Sequence, residues 1–390
     1  MQEAVEIMKI SENGIFQVGP NKYSKTYSFS DVNYATRTED EQEGFFSRYC
    51  KVLNTFDCSF SITVNNKNKY MEKLREEILL DENKRDGFGS MRGSCNNVIE
   101  HNIVEGKQGI EQERYITIST ERNNFEDAKS RFATIESNVL KSFATLGSSL
   151  EPLNGNERLK ILHDFYRLVR EEEFTFDIRE GKKTGTDFIN EICNSSLKFN
   201  KDYNEDEEYV RKVIYIKKYP TYLSDRFFTE LTSLPVHSIT TIDVVPVPKD
   251  ITMKILQKKY LGIESEIIRQ QRTHNRNNDF SSDISYNTRV QKMSVQKMMD
   301  DVRENDESLF FVGVTMVIMG EDKEELDSVM ETVQTIARSS GCAIDTCDYR
   351  QREALNTTLP IGVRQIETMR TMLTQSLAVL MPFNIQEVMR

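Results

Sequence analysis

The stretch Leu309-Phe-Phe-Val-Gly-Val-Thr-Met-Val-Ile-Met319 decides the architecture, because only Gly313 and Thr315 interrupt eleven apolar positions. A helix crossing about 30 Å of hydrocarbon needs roughly 20 apolar residues, so the run is too short to span a membrane. Its odd and its even positions are both mostly apolar, which a strand tolerates only when both faces are covered. The reading is a strand in the middle of a sheet.

Working outward, Asp322–Ser339 reads as a helix and Ala343–Asp348 as a closing strand. Upstream, Asn287–Glu304 and Ile251–Arg272 read as two helices, with Val290, Met293 and Val302 inward on one and Ile251, Ile255, Tyr260, Ile263 and Ile267 striping the other. Polar Thr273–Asp283 separates them. Strand His237–Val247 ends at Pro246 and Pro248, helix Ser224–Ser233 is capped by Ser224, and strand Val213–Tyr219 opens the unit.

The same plan precedes it. Strand Ser24–Phe29, helix Glu39–Asn54 and strand Cys58–Val64 are followed by helical stretches Lys67–Leu80 and Asn97–Glu105 around the loop Gly87–Gly93. Strand Arg114–Ser119 and helix Asn124–Leu146 complete that half. Strand–helix–strand, helical hairpin, strand–helix–strand is a split βαβ plan carrying an insertion. Its repetition predicts an α+β or mixed α/β chain of two ferredoxin-like lobes, each with a helical hairpin. The expected divisions are 1–150 for the first lobe, 151–208 for a helical and acidic linker, 209–350 for the second lobe with its hairpin at 249–305, and 351–390 for a trailing segment. Within the linker, Glu157–Arg170 reads as a helix, Glu171–Glu208 as a polar stretch and Asp202–Glu208 as a solvated acidic run.

Sixty-two acidic residues against 51 basic ones leave a net charge of −11. That balance repels phosphate backbones and anionic membrane surfaces, and gives no strong nucleic-acid signal. The first ten residues lack a basic segment followed by an apolar one, so a soluble, intracellular chain is expected. The six cysteines form no CxxC pair and read as ordinary reduced, mostly buried thiols.

Motifs for chemistry fail one by one. A phosphate loop of the GxxxxGK[ST] type needs glycines for the backbone cradle and a lysine for the phosphates. Gly106–Lys107 has His101 and Gln108 at the other required places, and Gly181–Lys182 has Phe176 and Lys183. Gly87-Phe-Gly89-Ser-Met-Arg92-Gly93 misses the third glycine of a dinucleotide fingerprint by one position. Asp202-Tyr-Asn204-Glu-Asp206 starts like a calcium loop, but Glu207 replaces the turn glycine and Val213 the bidentate glutamate. His101, His163, His237 and His274 are dispersed, with structural or surface roles as the default. The expectation is therefore no catalytic, cofactor-binding or metal site. Basic residues Arg269, Arg272, His274 and Arg276 gather at the tip of the second hairpin. They read either as a solvated turn or as a docking arm for an acidic or polar partner.

Several stretches carry a resemblance. Phe29-Ser-Asp-Val-Asn-Tyr34, Glu39-Asp40, Tyr49-Cys50, Leu53-Asn54 and Phe56-Asp57 stand early. Tyr219-Pro-Thr-Tyr-Leu-Ser-Asp-Arg-Phe227, Glu230-Leu-Thr-Ser-Leu-Pro235 and Thr240-Thr-Ile-Asp-Val-Val-Pro246 stand in the middle. Leu359-Pro-Ile-Gly362, Arg370, Thr374, Ser376, Ala378-Val379 and Met381-Pro-Phe383 stand late. Together they resemble the conjugative-transfer ATPases of type IV secretion systems, especially those of Gram-positive conjugative elements (the VirB, TraC, TraE and TrsE-like group).

In that family a RecA-like motor follows, and residues 351–390 correspond to the lead-in segment, with Arg370, Pro382 and Phe383 among its matching positions. The resemblance implies an amino-terminal docking and assembly domain, either part of a longer protein or a naturally shortened one. It implies a cytoplasmic location at the inner face of the membrane, held through inner-membrane channel subunits, and contact with the protein's own carboxy-terminal ATPase domain. It also implies a homo-oligomer in the full-length protein, with ATP and Mg confined to the motor. The expected function is contact and ring assembly for DNA or protein transfer, with no turnover by these residues. The alternative from another class is a single-stranded-DNA-binding module, since ferredoxin-like sheets can present aromatics for stacking.

Overall fold

A computed structural model describes residues 5–34, 37–68, 79–80, 91–97, 110–167, 174–185, 187–193, 197–206, 209–220, 222–276 and 285–383. It shows an α+β protein built on one antiparallel sheet of thirteen described strands. In chain order the first half supplies β1 (Lys9–Ile10), β2 (Ile15–Gln17), β3 (Lys22–Phe29), α1 (Glu39–Leu53), β4 (Phe60–Asn68), β5 (Ile110–Glu121), α2 (Phe125–Leu146) and β6 (Leu150–Pro152). Helices α3 (Gly155–Tyr166), α4 (Ile178–Thr184) and α5 (Phe188–Ile192) and strands β7 (Lys198–Phe199) and β8 (Asn204–Glu205) follow. The second half supplies β9 (Val210–Lys218), α6 (Asp225–Thr232), β10 (Ser238–Val247), α7 (Lys249–Arg276), α8 (Tyr286–Glu304), β11 (Leu309–Gly320), α9 (Lys323–Ser339) and β12 (Ala343–Thr346). A closing segment adds α10 (Gln351–Thr358), β13 (Arg370–Leu373) and α11 (Thr374–Ala378).

β11 lies between β10 and β9, as its two apolar faces require. In the first half β6 and β5 flank β3, with β4 outside β5; in the second, β12 and β11 flank β9, with β10 outside β11. The halves join edge to edge where Phe60–Asn66 pairs with Ser238–Val244, so the sheet runs through both without a break. Helix starts follow their caps. Asn124 accepts from Asp127 N, Ser224 from Arg226 N and Asp322 from Glu325 N.

Alternation assigns the two faces. On one, Tyr27, Ile62, Ile116, Ile242, Val312 and Met316 meet Phe45 of α1, Phe132 of α2, Phe227 of α6 and Val333 of α9. The other carries apolar residues toward one end, where Val213, Ile239, Val317 and Met319 meet Leu159 and Phe165 of α3 and Leu355 of α10. Its middle is a buried hydroxyl strip of Ser24, Thr26, Thr117, Ser119, Thr63 and Thr241. The closing segment lies over that strip and offers its carbonyls. Thr241 Oγ1 donates to Thr358 O at 2.5 Å, Thr26 Oγ1 to Pro360 O at 3.2 Å, Ser24 Oγ to Ile361 O at 2.6 Å and Ser119 Oγ to Gly362 O at 2.9 Å. Arg158, 2% exposed, reinforces the crossing by donating to Gly14 O, Ser24 O and Pro360 O at 2.9, 2.9 and 3.1 Å. Burial holds its guanidinium well below the ordinary value, at about 9.

Four expectations change. The acidic run 202–208 is not a solvated linker where it is described: Asp206 is buried and pairs with buried Arg211 at 2.6 Å, and Asn204 is fully buried. The preceding polar stretch is also structured, with α4, α5 and β7 inside it. Lys67 belongs to a lengthened β4 and not to a helix. On the hairpin, Ile251 and Met293, expected inward, are 41% and 66% exposed. Residues 69–78 and 98–105 of the expected helices Lys67–Leu80 and Asn97–Glu105, residues 87–90 of the loop Gly87–Gly93, His101, and Gly106–Lys107 lie outside the described residues, as does the side chain of Lys182.

Candidate docking arm

Helices α7 and α8 pack antiparallel as a hairpin between β10 and β11. At 1.5 Å per residue the 28 residues of α7 extend about 42 Å, far more than its packing on the sheet uses. Its root is anchored by buried Val247, Leu256, Leu309 and Leu373, with Met298, Met299 and Val302 of α8 packed against them. Beyond Leu256 the two helices seal each other. Ile267 is 6% exposed and Val295 2%, Lys292 pairs with Glu264, and Gln270 Nε2 donates to Thr288 Oγ1 at 3.4 Å. Ser285 caps α8 by accepting from Thr288 N. The Lys292 hydrogen bond holds the Glu264 carboxyl below the usual range.

The arm differs from the body in charge. Residues 249–304 contain 11 basic and 8 acidic residues, a net +3, while the remaining 40 basic and 54 acidic residues give −14. It also exposes apolar side chains that its own seam does not use. Leu261 is 63% exposed, Ile268 46%, Tyr286 77% and Met293 66%. Leu261 and Ile268 are seven residues apart on one helix, as are Tyr286 and Met293 on the other, so each pair shares a helix side.

Of the basic residues expected at the tip, Arg269, Arg272 and Arg276 are exposed on the last turns of α7. Arg269 is already engaged, pairing with Glu266 at 2.7 Å. The side chain of His274 lies outside the described residues. The four exposed apolar residues were missed from sequence. The sequence pattern puts Met293 inward, and the seven-residue spacing of the two pairs is the available signal.

The late residues lie in the body. Arg370 opens β13, opposite Val312 of β11, and its Nη1 donates to Tyr219 O at 2.9 Å. Pro382 O accepts from Arg114 Nε at 2.7 Å. Phe383 is 2% exposed, its ring edge-on to Phe29, Phe45 and Tyr49 at centroid distances of 5.7, 5.4 and 5.7 Å.

Chemistry is sparse among the described residues. No group of three or more metal-ligating side chains gathers there. His237 is buried at the start of β10 with neither ring nitrogen hydrogen-bonded, and burial, with Arg211 second, pushes its pKa down to about 3, leaving it neutral. No aromatic on a described strand is exposed, because helices or the closing segment cover both sheet faces. No helix among the described residues is long and apolar enough to cross a membrane. No protein-family model matches the chain, and no curated protein matches it in sequence.

Proposed function

We propose that this protein is a docking and assembly module that engages its partner through the α7–α8 arm, in the manner implied for the amino-terminal part of a conjugative-transfer ATPase. The arm carries the reading. A hairpin of opposite charge to its body, extending past its last core contact with four large apolar residues in solvent, presents the mixture of apolar anchors and cations found at protein interfaces. An acidic surface with an apolar patch is the complementary partner, and an inner-membrane channel subunit is the candidate. The repeated order of outer fourth, first, third and second strand in each half supports two ferredoxin-like units joined at their second strands. On this reading the protein is cytoplasmic, reaches the membrane through its partner, and turns over no ATP by itself.

The test is co-purification with co-expressed channel subunits, comparing wild type with Leu261→Asp/Ile268→Asp and with Arg272→Glu. These side chains are exposed, so the fold is expected to survive and the complex to be lost or weakened about tenfold or more. Failure of the wild type to retain any channel subunit, or undiminished capture by both variants, refutes the proposal.

A further inference from the structure

A second feature lies at the root of the arm and does not depend on the docking proposal. A cleft of about 420 Å³ opens between the end of β9, the middle of α7 and the stretch Thr368–Thr371. Among the described residues its charged lining is Lys217, Lys218, Lys259 and Arg370, with no carboxylate. Lys217 pairs with Asp345 Oδ2 at 2.7 Å, whereas Lys218, Lys259 and Arg370 make no ion pair among the described residues. Three uncompensated cations converge on one concavity of a protein whose net charge is −11. Among the described residues no carboxylate pairs with any of the three, and like charges gathered in one cleft repel.

The site has a rigid side. Ladder pairing in β13 sets Arg370, and the hydrogen bond to Tyr219 O together with the Tyr219 ring, 5.4 Å from the guanidinium carbon, fixes its plane. A guanidinium has five N–H donors, and this arrangement leaves most of them for a ligand. Tyr219 also lines the cleft, and its hydroxyl is buried without a hydrogen-bond partner among the described residues. Lys259 comes from the opposite wall; partial desolvation of its ammonium within the cleft, and then the Arg370 charge, lower its pKa, although the residue as a whole is exposed.

We propose that this cleft binds a small molecule carrying two or three linked phosphates. A single orthophosphate, at about −2, would leave positive charge uncompensated, whereas a di- or triphosphate matches three cations. The volume lies within the range of small-ligand sites, about 300–1,000 Å³. Such a ligand would bridge β9, the arm and the closing segment, and so fix the arm's root. It would be bound without being transformed. A nucleotide and an inorganic polyphosphate offer the same chemistry, and the probes below separate them.

The experiment is calorimetric titration of the whole chain at low salt with inorganic tripolyphosphate, ADP, ATP, orthophosphate and vesicles containing phosphatidylglycerol. Tripolyphosphate is expected to bind at least about tenfold more tightly than orthophosphate, and Lys259→Gln and Arg370→Gln each to weaken it about tenfold or more. ADP or ATP binding more tightly than tripolyphosphate identifies a nucleotide; equal binding identifies the phosphates alone. Lys259 and Lys218 are exposed, so Lys259→Gln and Lys218→Gln decide the matter even if Arg370→Gln fails to fold. Lys141→Gln, on exposed α2 surface, should change nothing. The proposal is overturned if no soluble phosphate binds, if only the vesicles bind, or if Lys259→Gln binds as tightly as wild type. None of these outcomes bears on channel-subunit capture by the arm.

Discussion

Replacing Asp243 by Asn should make the protein more stable, by an amount that grows with pH. Asp243 sits in the middle of β10 between Ser61 and Gly313 of the neighbouring strands, only 8% exposed. It shares a small crevice of about 40 Å³ with Lys22, Gly362 and Arg364 but makes no ion pair with either cation. Burial pushes its carboxyl up to about 7 from an ordinary 3.8, with Arg364 and then Lys22 pulling it part of the way back. A folded-state pKa above the unfolded one means the native protein holds a proton that the unfolded chain has released. Below pH 3.8 both states are protonated and the residue is neutral in its effect. As pH rises through the window from 3.8 to about 7, stability is lost, and above it the loss is complete. At about 1.4 kcal/mol per tenfold, the penalty reaches about 2 kcal/mol at pH 5 and about 4 kcal/mol at pH 8. Asparagine has nearly the same shape and no charge to bury. Urea unfolding of wild type and Asp243→Asn at pH 5 and pH 8 measures the difference, and other titrations cancel between the two proteins. A difference independent of pH, or a variant less stable than wild type at pH 8, refutes the reasoning.

Gly362 has a φ of +84°, and a Cβ there would lie 2.5 Å from Ser24 Cβ and 2.7 Å from Ser119 Oγ. Gly362→Ala should therefore cost about 2–4 kcal/mol in urea unfolding, whereas Gly262→Ala, in open space on α7, should stabilise by about 0.5–1 kcal/mol. Phe383→Ala empties a site shared by three aromatic rings, and a loss of about 3–5 kcal/mol in thermal or urea unfolding is expected. A loss below 1 kcal/mol would show that the closing segment is not part of the core.

Much of the framework was legible because local rules and tertiary packing agree. β11 declared its central place by being apolar on both faces, and Ser224 announced the helix it caps. What escaped depends on partners distant in sequence. Ser24, Thr26, Thr117 and Ser119 alternate with apolar residues as if one face of their strands met water, yet that face is buried under carbonyls more than two hundred residues away. Asp206 sits in an acidic run that composition assigns to solvent, and only the fold brings Arg211 against it. The cleft cations come from three separate segments at 217–218, 259 and 370, and no spacing rule joins them. Of the candidate arm, its position and basic tip were legible; its exposed apolar residues were not, since a two-helix seam needs a narrower stripe than a helix packed on a sheet.

The crossing of residues 358–362 over the hydroxyl strip has a consequence for how the protein is made. During synthesis, β3 and β5 emerge hundreds of residues before the carbonyls that their Ser and Thr side chains will meet. The first half of the nascent chain therefore waits with an open polar trough on one face and, where Phe383 will seat, an open aromatic socket on the other. Pairings this remote in sequence form late and slowly, and exposed surface during the wait is the usual route to aggregation. Completion of this fold is thus timed by the emergence of residues 351–383, and a folding helper acting on this protein would find its substrate in the half-sheet that lacks them.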